Sequence, residues 1–311
     1  MKNIQEILPL EDGVELKTSE ITKQLHEFKE KFNNLPDFIR NMNIIVSSQL
    51  PLLPQKFDLN QKRILAYAIG LIQKSQRECE IPEFSNNTFT IQVNHFKQAF
   101  NIEERSGGSL YNQLKEAALK LAKEQLYYKN ERKNVEVYLN WCQKIVYEND
   151  EGRIHIKFTE EISKYLTQIA DNYTKYNVFI SHSFKSTYSI RIYEIMQTRK
   201  DTNMIIMSYE DFRKILDIPK SYDKPTAIKT KILQKVAEDF KRIGVNFIYD
   251  FVKDKRYDGN YKVILKTDKN DDDLLLWLNS KENKTHKEFK EIDNKLKLVE
   301  VSSMDDPILP F

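Results

Sequence analysis

Glycine, histidine and cysteine are scarce in this 311-residue chain, with seven, five and two copies. Seven glycines leave no G-x-x-x-x-G-K-[ST] loop, which excludes the usual backbone cradle for ATP phosphates. Cys79 and Cys142 stand too far apart for a local zinc motif, and a reduced cytoplasmic setting is the simpler reading than a disulfide framework. His26, His95, His155, His182 and His286 are scattered, without the His-x-His pair that would hold a metal beside a nucleophilic tyrosine. The sixteen tyrosines therefore supply nucleophile candidates without a metal site. No run approaches the ~18 apolar residues of a membrane span. The opening MKNIQEILPLEDG lacks the apolar core and small-residue cleavage site of a secretory signal. These absences lead to the expectation of no catalytic residue, no metal, no cofactor and no membrane partner.

The charge that is present is unevenly placed. Residues 268–311 hold seven lysines and eleven acids, a net of −4, so residues 1–267 carry +7 of the overall +3. A moderately basic body with an acidic tail fits a nucleic-acid partner. Length favours two domains over one core.

Taken in order, residues 1–42 read as an N-terminal extension with a short helix, Ile21, Leu25, Phe28 and Phe32 on one face and Pro36 closing it. NIIVS at 43–47 reads as a strand. Asp58 and Gln61 have capping-box spacing ahead of a long helix over 59–76. A pattern then occurs twice, 116 residues apart. TFTI at 88–91 is followed by HFKQAF and Asn101-Ile102; MIIM at 204–207 is followed by DFRKIL and Asp217-Ile218. A polar linker, a long helix and β-rich segments follow each copy: VEVYLNWCQKIVYE and RIHIKF around NDEG, then VNFIYDFV and YKVILK around KDKRYDGN. Strand, short helix, long helix and hairpin make a winged helix-turn-helix. The expected fold is α+β: two tandem winged helix-turn-helix domains at 43–170 and 171–267, the helical extension at 1–42, and a partly disordered acidic tail at 268–311. Within that tail LLLWL reads as a docking turn, and the chain from Ser280 onward as mobile.

The long helix of the second copy, KSYDKPTAIKTKILQKVAEDFKR at 220–242, carries seven basic and three acidic residues. Asp223 and Pro225 open it with a side-chain cap and a fixed φ. Ile228, Ile232, Val236 and Phe240 recur every fourth residue as a core-facing stripe. Thr226, Thr230, Lys231 and Gln234 are placed as groove-facing, since glutamine pairs with adenine, lysine reaches guanine and the threonine methyl meets thymine. Lys224, Lys235 and Lys241 are assigned to phosphates. Lys229 falls on the packing face, its stem over the core edge. The second wing offers Lys253, Lys255, Arg256 and Tyr257; the first copy offers Lys129, Arg132 and Lys133 there, and Asn112, Lys115, Glu116 and Lys123 on the outer face of its long helix. Ser106 and Ser109, in SGGS, either meet a phosphate at the helix N-terminus or form a plain loop with Ser109 as N-cap.

FKSTYSIRIYEIMQ at 184–197, preceded by FTEEISKYL and YTKYNVF, resembles the junction segment of plasmid replication initiator (Rep) proteins of the theta-replicating, iteron-binding type. MSYEDFRKILDIPKSYDKPTAIKTKILQKVAEDF is similar to their second winged helix, with Asp217-Ile218-Pro219 where family members often have glycine. The resemblance covers about 43–266. It implies a DNA-binding protein that straddles origin repeats, the second domain reading base edges and the first adding contacts. It further implies dimerisation through the first domain, repression of its own promoter, origin opening, and recruitment of host machinery such as a helicase or helicase loader. The final MDDPILPF resembles the acidic tip of bacterial single-stranded-DNA-binding proteins, so Asp305, Asp306, Leu309, Pro310 and Phe311 are candidate recruitment residues; a sliding-clamp peptide and a frayed tail are the alternatives. Against the initiator stands a double winged-helix transcriptional regulator of a phage or mobile element without origin function.

Overall fold

A computed structural model describes residues 18–280, except 36, 79–83, 86–87, 101, 103–108, 131–133, 168–172 and 258–259. The expectations for Ser106, Arg132, Lys133, Pro36, Cys79, the tail beyond Ser280 and its last residues lie outside the described residues.

The chain begins with α1 (Thr18–Asn33) and α2 (Asp37–Arg40), then β1 (Asn43–Ser47) and α3 (Leu59–Glu78). The capping box forms: the Asp58 amide donates to Gln61 Oε1 at 2.8 Å and the Gln61 amide donates to Asp58 Oδ1 at 2.9 Å. The first winged unit follows as β2 (Phe84–Ser85), β3 (Thr88–Gln92), α4 (Val93–Ala99), α5 (Ser109–Lys123), β4 (Gln125–Asn130), β5 (Val135–Asn140), β6 (Cys142–Glu148) and β7 (Arg153–Phe158). A connection of α6 (Glu160–Thr167), β8 (Tyr173–Asn177), α7 (Val178–His182) and α8 (Thr187–Gln197) leads to the second unit. That unit is β9 (Met204–Ser208), α9 (Tyr209–Ile215), α10 (Pro225–Ile228), a π turn at Lys229–Leu233, α11 (Gln234–Arg242), β10 (Phe247–Lys253) and β11 (Tyr261–Thr267), with α12 (Asp271–Asn279) behind it.

Sheet pairing is antiparallel throughout: β2-β3-β7-β6 in the first unit and β10-β11-β9 in the second. The internal repeat extends to single hydrogen bonds. The Ile102 amide bonds the Lys97 carbonyl at 3.0 Å, and 116 positions on the Ile218 amide bonds the Arg213 carbonyl at 2.9 Å. Both close the end of a short helix with a six-to-one bond of the Schellman type.

One stretch departs from expectation. VEVYLNWCQKIVYE is not a single strand but β5 and β6, broken at Trp141, whose ring is buried edge-on against Phe57 at 5.0 Å. Upstream of that anchor the chain turns away and pairs with β4, forming a two-stranded hairpin between α5 and the wing β6–β7. Gln125–Asn130 carried no strand reading, because its partner is set by the Trp141 break.

The units are joined by continuous core. β1 pairs with β8, so a strand ahead of the first unit is completed by one ahead of the second. Every residue of α8 from Ser189 to Gln197 is buried, the polar Ser189, Arg191, Glu194 and Gln197 included. Two of its buried polar side chains reach across the core. Glu194 meets Lys62 of α3 at 2.8 Å and Arg191 at 2.9 Å, and Arg191 also donates to the carbonyls of Pro51 and Leu53 at 2.8 and 2.9 Å. Leu25, Phe28 and Phe32 of α1 are buried as their spacing predicts, and Phe28 stacks on Phe179 of α7 at 5.2 Å and on Trp277 of α12 at 6.4 Å. Leu274 and Leu278 complete that seat, so LLLWL docks as a helix.

Candidate nucleic-acid interface

In the second unit, β9 delivers the chain into α9, whose N-terminus is capped by Ser208 on the Asp211 amide at 3.0 Å. The turn after α9 needs one residue in the left-handed region, and Asp217 takes it at φ +48°. Aspartate tolerates that conformation better than branched residues, so the turn forms without a glycine. Arg213 then shapes the connection to the long helix. Its guanidinium donates to the carbonyls of Tyr222, of Pro219 at 3.2 Å and of Ile218 at 3.5 Å, and lies over the Tyr209 ring. Tyr209 Oη donates to the Asp223 carbonyl at 2.7 Å. Asp223 does not cap the long helix. Lys224 is the N-cap, without a side-chain bond, and Pro225 with its fixed φ starts the first turn.

Ile228, Ile232, Leu233, Val236 and Phe240 are buried, while Lys224, Thr226, Thr230, Lys231, Gln234, Lys235 and Lys241 are all exposed. Lys229 lies against β10, with Nζ 3.6 Å from Asp250 and over the Phe251 ring. The helix is fastened from behind by Asp239, a buried carboxylate that accepts from Ser189 Oγ at 2.7 Å, the Ser186 amide at 3.2 Å and Arg242 at 2.6 Å. Junction and long helix are thereby tied together through one buried carboxylate. Chemically, the outer face is a row of amines, an amide and hydroxyls, interrupted by the exposed carboxylate of Glu238 and without apolar side chains, suited to phosphates and base edges.

The second wing, between β10 and β11, exposes Lys253 and Lys255. Arg256 is exposed but bonded to Asp254 by Nε at 3.1 Å and Nη2 at 2.9 Å, and these bonds hold the Asp254 carboxyl below its ordinary range. Tyr257 is half-buried, its amide on the Asp254 carbonyl at 3.2 Å.

The first unit differs. Asn112, Glu116 and Lys123 are exposed on α5, and Ser109 is its first residue. Lys115 is half-buried and engaged: Nζ donates to Asn149 Oδ1 at 3.0 Å and sits 4.9 Å from the centre of the Tyr147 ring. Tyr111 Oη also donates to Asn149 at 3.1 Å, and Tyr147 Oη to the Lys115 carbonyl at 3.1 Å. These bonds strap the wing β6–β7 to α5. The wing itself carries Glu148, Asp150 and Glu151, with Gly152 at φ +61° closing the turn and Arg153 paired to Glu151 at 2.5 Å. Lys129 belongs to β4, so this residue of the expected basic wing lies on the extra hairpin, and the described wing between β6 and β7 is acidic. Sequence reading missed Arg213 and Asp239, the residues that shape and fasten the second helix. The repeat aligned Arg213 with Lys97 but carried no sign of its carbonyl partners.

Among the described residues no helix is long and apolar enough to cross a membrane. The family model described as initiator replication protein, first winged helix, matches residues 43–197, and that of the initiator Rep protein second winged helix matches 208–257. A curated replication initiation protein of Escherichia coli is 24% identical over 204 residues, 63% of this chain, which spans 61% of that relative's length. The solved structure of the Pi initiator protein in complex with iteron DNA shares the fold, with a TM-score of 0.56 and 20% identity over 73% of this chain and 96% of that one. With both of its winged-helix units matched in order, the chain belongs to the initiator Rep family of double winged-helix replication proteins.

Proposed function

We propose that this chain is a sequence-specific double-stranded-DNA-binding initiator of plasmid replication that binds origin repeats without covalent catalysis. The observation that carries the reading is the exposed polar face of α10–α11, held rigidly by Asp239 and flanked by a lysine-bearing wing. The Pi initiator, which shares the fold, was solved on iteron DNA. On this reading Thr226, Lys231 and Gln234 read the groove, Thr230 lies between them on the same exposed face, and Lys224, Lys235, Lys241, Lys253 and Lys255 meet phosphates. Asn112 and Lys123 add contacts from the first unit. Residues 43–170 and 171–267 are the two working domains. Self-association, repression of its own promoter, origin opening, a cytoplasmic setting, and recruitment of a helicase or its loader, with the Asp305–Phe311 segment as the recruiting tip, complete the assignment.

The test is footprinting of the DNA flanking the gene with wild-type protein and with Lys231→Ala and Gln234→Ala. Protected direct repeats of about two helical turns each, weakened by both substitutions, are expected. A single inverted repeat over the promoter would make the protein a regulator instead. Identical footprints for every variant would remove this helix from the interface.

A further inference from the structure

The second long helix is not a uniform α-helix. Between α10 and α11 the backbone widens into the π turn Lys229–Leu233, closed by the Gln234 amide on the Lys229 carbonyl. The cause lies in the apolar spacing. Ile228, Ile232, Val236 and Phe240 recur every four residues, and at about 100° per residue each step overshoots a full turn by about 40°. Over three steps the stripe would drift about 120° around a straight helix, carrying Phe240 off the core that holds Ile228. One extra residue taken up in a wide turn absorbs about 100° of that drift. All four residues are buried, and Leu233, on the wide turn, is buried with them.

The same rotation acts on the outer face. Thr226 and Gln234 are eight positions apart, which separates them by about 80° on a uniform α-helix; with one residue absorbed by the turn they fall within about 20° of each other. Thr230 sits between them, and all three are exposed. The Thr230 hydroxyl donates back into the helix, to the Thr226 carbonyl at 3.1 Å and the Ala227 carbonyl at 3.3 Å. Back-bonding of this kind bends helices and here ties the wide turn to the last turn of α10.

We propose that the π turn aligns Thr226 and Gln234 into one reading stripe, and that Thr230 is a positioning residue that holds this alignment through the carbonyls of Thr226 and Ala227. The inference rests on the DNA-reading role proposed above and concerns how the helix reads.

The full chain, as wild type, Thr230→Val and Thr230→Ser, is used to select bound duplexes from a random-sequence pool, with thermal melting of each protein alongside. Valine keeps the shape and a methyl but loses the hydroxyl; serine keeps the hydroxyl and loses the methyl. Thr230→Ser is expected to select the wild-type motif. Thr230→Val is expected to melt with the wild type yet lose about tenfold in preference, the size of one lost base contact, at two separate positions, those read by Thr226 and Gln234. Loss at a single position, or loss with serine and not valine, makes Thr230 a direct base contact and overturns the proposal. Unchanged motifs for both variants overturn it as well. If the wild type itself enriches no motif, the DNA-reading role falls and takes this inference with it, a pattern none of the other outcomes produces.

Discussion

Asp217 and Asp271 show how single carboxylates carry different loads. Asp217 occupies φ +48° and is exposed, with only a 3.4 Å pair to Lys56 across the surface. Its contribution is conformational. Asp217→Gly should leave urea stability within about 0.5 kcal/mol, while Asp217→Val should cost about 1–2 kcal/mol because a branched side chain resists the left-handed region. Equal midpoints for the two variants would show that the turn does not depend on this residue. Asp271 is buried at the start of α12, accepting from Tyr193 Oη and from the Asn177 amide at 3.0 Å, and burial pushes its carboxyl up to about 6. An acid raised in the folded state holds its proton longer than the unfolded chain does. Its stabilising share is therefore complete below about pH 4 and is lost as pH rises through about 6. Melting temperatures measured from pH 4 to 7 should show this fall, and Asp271→Asn should flatten it.

At the scale of elements, the two winged units repeat in backbone and diverge in charge. The second wing exposes Lys253 and Lys255, whereas the first carries Glu148, Asp150 and Glu151 and is strapped to α5 through Asn149. Backbone phosphates favour the second. Lys255→Ala should weaken binding to all duplexes and lower the salt slope by about one, and Lys235→Ala should do the same. Arg256→Ala should do less, because that guanidinium is already bonded to Asp254. Gln234→Ala should instead relax preference at about one base position with little change in salt slope. Titrations at several salt concentrations separate these outcomes; a full-sized effect of Arg256→Ala would show that Asp254 releases it to DNA.

At the scale of the molecule, the two ends of the described chain meet. α1 and α12 lie outside the matched family regions, yet Phe28 sits between Phe179 and Trp277, and Lys29 reaches Ser280 at 3.0 Å. This pair of helices braces the connection between the winged units, and α1 also packs on α11. Phe28→Ala empties a buried aromatic site and should cost about 3–5 kcal/mol, with Trp277 fluorescence shifting toward that of an exposed indole. Lys62→Ala should cost about 3–5 kcal/mol by removing a partner from the buried Glu194. Its damage should be global, since Lys62, Glu194 and Arg191 tie α3 and the Pro51 and Leu53 carbonyls to α8. An unchanged denaturation midpoint in either variant would show the brace to be superficial.

Much of this was legible in the residues. The Asp58–Gln61 cap, the stripe of Leu25, Phe28 and Phe32, and the strand-helix repeat all depend on neighbours within a few positions, where spacing alone decides which side chains share a face. The exposed row from Thr226 to Lys241 followed from the same periodicity. The features that sequence spacing did not reveal depend on partners far along the chain. The break at Trp141 needs Phe57 to receive the ring, the engagement of Lys115 needs the Asn149 turn, and the hold on the long helix needs Ser186 and Ser189 to meet Asp239. The π turn stands between the two. Its four-residue apolar spacing was visible in the sequence from the start. Only a core that holds Ile228 and Phe240 at once forces the backbone to absorb the drift, because a side chain can be kept buried only where the rest of the molecule has placed something to bury it against.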